Sequence, residues 1–239
     1  MDIAPVARSA VSDAVFAHIV DEILSGRLAV GEPLPSEREL AVAFAVNRHA
    51  VREALKRLQQ ARLVLISHGG KTRVQDWRTT AGLDVLSTLA ATGVVPALQI
   101  ARDIMVMRRS VAADAARLCT KWASDEQLAA IAGAATAYPE SHTAESFGAD
   151  LTFWTAIIDG SGNLAYRLAL NTLVAAFADI GFGSIADLGM GAELADRDAH
   201  LALAGRLVAR DGDGAYRIAD ELLGRVVETL SAAERSVKE

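Results

Sequence analysis

The stretch from Leu34 to Gln59, LPSERELAVAFAVNRHAVREALKRLQ, contains two helix starts in close succession. Ser36 is a favourable N-cap, and Glu39 three residues later completes a capping box, so a helix is predicted to begin here. The pattern breaks at Ala45, and Asn47 is placed to cap a second helix. Two short helices joined by a tight turn predict a helix-turn-helix.

A small β-hairpin is predicted directly after the second helix. The runs LVLI and TRVQ are β-rich, and the glycine-containing turn from His68 to Lys71 separates them. A further helix, ending at Gly26, is predicted over residues 9–26. Together these elements form a winged helix-turn-helix, a unit that lays its second helix in the major groove of DNA.

Positive charge is concentrated in this unit, although the whole chain carries a net charge of −6. Residues 38–73 hold eight Lys or Arg and two Asp or Glu, whereas residues 76–239 hold fourteen and twenty-two. A basic front and an acidic back indicate an anion-binding module attached to a second module. A solvated basic helix face is the simpler interpretation of the same charges, and the wing favours DNA binding over it.

The cations of the second helix have the chemistry that DNA requires. Phosphates take cations and N–H groups, and base edges take bidentate donors. Arg48 and Arg52 lie one turn apart and are able to fork onto guanine O6 and N7. Asn47 and His49, at the helix start, lie within reach of phosphates or bases, and Arg38 on the preceding helix is placed to grip the backbone.

From about residue 79 the pattern is helical almost throughout. Helices are predicted near residues 80–92, 96–120, 124–137, 142–159, 162–180, 192–210 and 213–235. We therefore predict a mainly α chain. A winged helix-turn-helix DNA-binding domain is expected over residues 1–76, and an all-helical bundle for effector binding and dimerisation over residues 77–239.

Cysteine content and hydropathy exclude other classes. Cys119 is the only cysteine, so no intramolecular disulfide forms, and its helical pattern predicts a buried side chain, with a catalytic thiol as the alternative. No run of 18 apolar residues indicates a membrane span, and the start MDIAP lacks a signal peptide's basic region. We expect a cytoplasmic protein. Five histidines, one cysteine and no ordered triad argue against an enzyme.

The segment GRLAVGEPLPSERELAVAFAVNRHAVREALKRLQ resembles the DNA-binding domain of the GntR family of bacterial transcription regulators, over roughly residues 9–75. LPSEREL and VREAL at this separation carry the resemblance. Ala45 departs from the family, which usually has glycine in the turn, and a left-handed backbone there would cost alanine about 1 kcal/mol. The resemblance places His68 and Gly69 of the wing at the minor groove. The full predicted DNA-binding set is Arg38, Asn47, Arg48, His49, Arg52, His68, Gly69 and Lys71.

Residues 80–235 resemble, more loosely, the FCD domain of the FadR branch of this family. The segments VMRRSVAADAARLCTKWASDEQL, ADLTFWTAIIDGSGN and DAHLALAGRLVARDGDGAYRIADEL carry this resemblance. It implies a ligand pocket in which Arg108 stands where an arginine commonly faces a carboxylate effector. An ion pair of Arg108 within the protein is the alternative.

FCD domains usually hold a metal through an aspartate, a histidine four residues later and two further histidines. Asp150 and His200 match the first and third positions, but Trp154 occupies the second and an apolar Leu222 or Leu223 the fourth. Two ligands do not hold Zn²⁺ tightly, and tryptophan offers no lone pair. We therefore expect that the metal site is degenerate and that no cofactor binds.

An apolar slot with one guanidinium suits a small carboxylate or an acyl-CoA-type effector. The predicted effector-binding residues are Arg108, Asp150, Trp154 and His200. The expected function is a ligand-responsive DNA-binding transcription regulator, a repressor that acts as a homodimer on a palindromic operator in double-stranded DNA. The alternative is a winged-helix protein-interaction scaffold that has no DNA operator.

Overall fold

The structure, a computed structural model, describes residues 8–66, 71–93, 95–140, 145–180 and 191–238. The chain forms two compact units, Met1–Ala97 and Leu98–Glu239. The domain boundary predicted after residue 76 lies before two short helices that belong to the first unit. Within the described ranges, every helix is too short or too polar to cross a membrane.

The first unit is a three-helix winged helix-turn-helix followed by short helices. Its elements in chain order are α1 (Arg8–Leu24), α2 (Glu37–Ala43), α3 (Arg48–Gln60), β1 (Val64–Leu65), β2 (Arg73–Val74), α4 (Trp77–Thr80), a 3₁₀ turn (Leu83–Val85) and α5 (Leu86–Thr92). Helix α3 buries Val51, Leu55 and Leu58 against the core that α1 also lines. The strands are antiparallel, with Val64 opposite Val74, so the predicted strand pairing is confirmed, and residues 67–70 of the predicted turn lie outside the described residues.

Both predicted helix starts of the helix-turn-helix are confirmed. Ser36 Oγ accepts a hydrogen bond from the Glu39 N–H at 3.3 Å, and the Glu39 carboxylate accepts from the Ser36 N–H at 2.8 Å. Asn47 Oδ1 accepts from the Ala50 N–H at 2.9 Å. Between the two helices Ala45 has φ of 52°, the left-handed conformation. Alanine therefore occupies a position that favours glycine.

The second unit consists of seven helices within the described residues. They are α6 (Ala97–Trp122), α7 (Asp125–Thr136), α8 (Ser146–Gly160), α9 (Leu164–Ile180), α10 (Gly191–Leu194), α11 (Arg197–Val208) and α12 (Gly212–Lys238). The core lies between α6, α7, α8, α11 and α12 and includes Ala116, Ile131, Phe153, Leu203 and Leu222.

Two of the predicted helices are interrupted. The range 80–92, expected to be one helix, begins with the last residue of α4, is non-helical at Ala81 and Gly82, and continues as the 3₁₀ turn and α5. The helix expected over 192–210 ends at Leu194 and begins again at Arg197, because Asp196 caps α11 through the Ala199 N–H at 2.9 Å. A side-chain acceptor for a helical N–H defines a new helix start.

Cys119 of α6 lies fully buried where the end of α8 crosses it. A Cβ atom added at Gly160 would lie 2.7 Å from the Cys119 sulfur, so only glycine permits this close approach. Burial raises the pKa of the Cys119 thiol to about 11. The side chain therefore serves as a small core hydrophobe, as the helical pattern predicted.

Candidate DNA-binding surface and effector site

Helix α3 presents its cations to solvent. The side chains of Arg38, Arg48, His49 and Arg52 are exposed, as is that of Lys71 just before β2. Among the residues that the structure describes, Arg38, Arg48 and Lys71 form no salt bridge. These side chains are therefore available to an external polyanion.

Arg52 has a partner on the preceding helix. Its Nη2 donates to Glu37 Oε2 at 3.0 Å and its Nε lies 3.3 Å from both carboxylate oxygens. Hydrogen bonding to this carboxylate raises the pKa of Arg52. The Arg52 side chain remains 58% exposed, so the pair lies at the surface and the guanidinium is not turned inward.

Two further cations of α3 serve the protein itself. Arg57 donates to Asp13 of α1 and lies 4.2 Å above the ring of Phe16, which ties α3 to α1. Lys56 pairs with Glu53 at 2.8 Å. The basic stretch is thus divided between internal contacts and the exposed surface around Arg48. Asn47 belongs to both groups, because its Oδ1 caps α3 while its side chain stays exposed.

His68 and Gly69, both predicted to contact the minor groove, lie outside the described residues.

In the second unit, Asp150 of α8 is the centre of a buried polar cluster. Its carboxylate accepts hydrogen bonds from Arg108 Nη2 at 2.9 Å, Trp154 Nε1 at 3.1 Å and Tyr138 Oη at 3.3 Å. Asp150 is only 4% exposed. Three donors satisfy a buried carboxylate that would otherwise be strongly destabilising.

His200 of α11 completes one side of this cluster. Its Nδ1 lies 2.7 Å from the carbonyl oxygen of Asp196, so Nδ1 carries a hydrogen. Its Nε2 lies 3.5 Å from Asp150 Oδ1. The ring stacks on Tyr138 with centroids 3.9 Å apart and meets the edge of Phe153 at 5.1 Å. These contacts fix the imidazole within the core.

Glu193 of α10 contacts the same guanidinium and is fully buried. Its Oε1 lies 2.6 Å from Arg108 Nη1, a close ion pair, and Arg108 is its one salt-bridge partner among the described residues. Burial raises the pKa of Glu193 to about 7, and the charge of Arg108 opposes that rise. Arg108 therefore lies between two buried carboxylates, those of Asp150 and Glu193.

The residues at the family's metal positions do not fit a metal ion. Trp154 Nε1 points a hydrogen at Asp150, and Leu222 and Leu223 are apolar and 1% exposed. The Asp150 carboxylate is occupied by hydrogen-bond donors, and Arg108 supplies the positive charge between it and Glu193. Within the described ranges no group of three ligating side chains is placed to bind a metal.

A small cavity adjoins the cluster between α6, α8 and α9. Its volume is about 40 Å³, roughly enough for a water molecule or two. Ligand pockets for drug-sized molecules are usually about 300–1,000 Å³, so an effector must enlarge this one. The lining residues are Met105, Arg108, Phe147, Asp150, Leu151, Trp154, Leu170, Leu173 and Val174.

The structure thus brings together the four predicted effector-binding residues, Arg108, Asp150, Trp154 and His200. Sequence reasoning missed two members of the cluster, Tyr138 and Glu193. Tyr138 follows the end of α7 and Glu193 lies on a four-residue helix. Neither carries a periodic signal that would mark it as buried and polar.

The first unit is a winged helix-turn-helix with exposed arginines. The second is a helical unit with a buried polar cluster beside a cavity. This combination is typical of a ligand-responsive DNA-binding transcription regulator. The chain belongs to the GntR family: the model for bacterial regulatory proteins of the gntR family matches residues 11–74, and the FCD domain model matches residues 103–225. The predicted fold class and the prediction of a ligand-responsive DNA-binding transcription regulator are therefore confirmed.

Individual relatives agree with this assignment. The chain is 34% identical over 185 residues to the HTH-type transcriptional regulator Mce2R of Mycobacterium tuberculosis, covering 74% of each chain. It is 32% identical over 166 residues to the fatty acid metabolism regulator protein of Edwardsiella ictaluri, covering 69% of this chain and 68% of the relative. The solved structure of Lar from Listeria monocytogenes matches with a TM-score of 0.50 and 15% identity, over 97% of this chain and 99% of that one, which shows the fold alone.

Proposed function

We propose that the chain is a repressor that binds a palindromic operator as a homodimer and whose DNA affinity changes when an effector occupies the helical unit. The observation that carries this proposal is the exposed pair Arg48 and Arg52 at the start of α3. One helix-turn-helix reads only a half-site, and a two-fold symmetric operator suits a two-fold symmetric dimer.

The proposed DNA contacts divide by chemistry. Arg48 and Arg52 have the donor geometry for guanine in the major groove, whereas Arg38 and Lys71 suit phosphates. Asn47 and His49 stand at the start of α3, where side chains of a recognition helix reach DNA. The wing-tip residues His68 and Gly69 belong to the same proposal.

The effector is proposed to be a small carboxylate or an acyl-type molecule held near Arg108, Asp150, Trp154 and His200. Support comes from the apolar lining of the adjoining cavity and from relatives named fatty acid metabolism regulators. The chain is proposed to act in the cytoplasm, where its DNA lies, and to regulate without catalysing a reaction. An effector shifts DNA affinity only if it binds one state of the protein more tightly than the other.

Selection of duplexes from a random pool, followed by binding measurements at increasing salt, tests the DNA-binding proposal. We expect the selected sequences to contain an inverted repeat and to bind two chains per duplex. Six to ten phosphate contacts would weaken binding roughly 10³-fold or more between about 50 and 200 mM salt. No enrichment and a flat salt dependence would support the protein-interaction scaffold instead.

A further inference from the structure

The two carboxylates beside Arg108 are held to different degrees. Asp150 accepts hydrogen bonds from Arg108, Tyr138 and Trp154. Within the described part of the chain, Glu193 has one salt-bridge partner, Arg108 Nη1 at 2.6 Å from its Oε1, and no donor to its Oε2. A buried carboxylate with one donor and an unsatisfied oxygen is less well stabilised than one with three donors. Glu193 is therefore the carboxylate that leaves the guanidinium more easily.

We propose that Glu193 is an internal competitor for Arg108, and that a carboxylate effector binds by exchanging its own carboxylate for that of Glu193. The proposal rests on the proposed function in that it takes the helical unit to be the ligand-binding unit. It adds the residue that sets the ligand's head-group class.

Charge balance in the buried cluster favours exchange over simple addition. With Arg108 paired to Asp150 and Glu193, a third carboxylate would be a buried charge without a partner. Replacing Glu193 leaves the number of carboxylates at the guanidinium unchanged. A neutral head group has no means of displacing Glu193, and so the cluster discriminates between head groups by charge.

The position of Glu193 also favours its departure. Glu193 lies on α10, a helix of four residues, whereas Asp150 lies within the fifteen-residue α8 and its side chain is surrounded by donors. Moving a short element breaks fewer packing contacts than moving a long core helix. Arg108 also lines the cavity beside Phe147 and Leu173, so an apolar tail bound there brings its head group to the guanidinium.

The test compares three probes that each contain a straight chain of eight carbons: octanoate, octanamide and octylamine. Their affinities are measured by calorimetry on full-length wild type, Glu193→Gln and the control Glu221→Gln, at about pH 8, where carboxylates are normally ionised. Glu221 is an exposed carboxylate of α12 in the same unit. We expect Glu193→Gln to bind octanoate on the order of tenfold more tightly than wild type, because the competing charge-assisted contact is removed. The affinity for octanamide should stay the same, and Glu221→Gln should behave as wild type.

Equal octanoate affinity in wild type and Glu193→Gln would overturn the proposal while leaving a carboxylate effector in place. Binding of octylamine alone, or of no straight-chain carboxylate from butanoate to decanoate in either protein, would overturn it as well. Operator binding without any probe tests the DNA-binding function separately. If Glu193→Gln does not fold, Glu193→Asp provides the same test, because its shorter side chain draws the carboxylate back from Arg108 and should also raise octanoate affinity.

Discussion

Ala45 has a left-handed backbone conformation, which is unfavourable for a residue with a Cβ atom. Its φ of 52° is unfavourable for alanine by about 1–2 kcal/mol, and glycine returns part of that through the larger entropy of the unfolded chain. We expect Ala45→Gly to stabilise the protein by about 0.5–1 kcal/mol, measured as a higher urea midpoint at unchanged slope. The control Ala61→Gly, at a right-handed φ of −72°, should bring no gain. A loss of stability in Ala45→Gly would contradict the inference that the backbone of Ala45 is strained.

Arg52 has an exposed ion pair and a proposed base contact, and the two roles differ in energy. Removing the pair with Glu37 should lower stability by less than about 1 kcal/mol, since exposed ion pairs contribute little. Removing a bidentate base contact should weaken operator binding by roughly 1–3 kcal/mol. Arg52→Ala is therefore expected to fold normally and to bind the selected duplex 10- to 100-fold more weakly by gel shift. Lys121→Ala, which removes an exposed charge from the helical unit, is the control, and equal affinity of the two variants would refute the contact.

Glu193 makes stability depend on pH near neutrality. Burial raises its pKa from 4.5 to about 7 in the folded protein, so the folded state keeps the proton when the unfolded state has lost it. The stabilisation is complete below the pKa of Glu193 in the unfolded chain, and it is lost as the pH rises from that pKa toward 7. Glu193→Gln, which does not ionise, should be more stable than wild type at about pH 8 and similar to it at about pH 5 in urea unfolding. If the free energy of unfolding differed by the same amount between Glu193→Gln and wild type at both pH values, Glu193 would not be a buried group that ionises near pH 7.

At the scale of an element, Asn47 allows helix capping to be separated from DNA contact. Its Oδ1 caps α3, and serine is a comparable cap whereas alanine is not. Asn47→Ser should keep the free energy of unfolding within about 0.5 kcal/mol, and Asn47→Ala should lose about 1 kcal/mol. If the amide also contacts DNA, both variants should lose operator affinity in gel shifts. Full affinity in Asn47→Ser would restrict Asn47 to capping.

Elements with local signals could be predicted from the sequence, and elements set by tertiary contacts could not. Ser36 and Asn47 predict the starts of α2 and α3, because a helix cap involves only residues three positions apart. The break before α11 has a local signal of the same kind, because Asp196 accepts from the Ala199 N–H three positions on, but the helical pattern on both sides of it predicts one continuous helix. The contact of Asp196 with Arg225 of α12, 29 residues away, has no signal in the sequence.

The same distinction applies to the candidate site. Arg108, Asp150 and His200 came from resemblance to a family pattern, and the structure brings them together. Glu193 could not be predicted, because its burial arises from packing against α8 and α12 and not from a pattern within GAEL. The position of the ion pair between Arg108 and Glu193 is a property of the tertiary fold.

At the scale of the whole molecule, the degenerate metal site predicts independence from metal. Trp154 and the two apolar leucines leave Asp150 and His200 without further ligands at the family positions. Elemental analysis of purified protein should find far less than one zinc, nickel or manganese per chain, and a chelator should leave the melting temperature unchanged. One tightly bound ion per chain, with a lower melting temperature after chelation, would contradict this expectation.

Because Gly160 packs against Cys119, the reactivity of the Cys119 thiol can report on the transient separation of α6 and α8. The chain has one thiol, and its sulfur is sealed between α6 and α8. A thiol reagent reaches that sulfur only in molecules that have transiently separated these helices, so the rate of alkylation measures how often they part. Any compound that holds the two helices together will slow the alkylation. Measuring that rate by mass spectrometry is therefore a screen for effectors that needs neither DNA nor an attached dye.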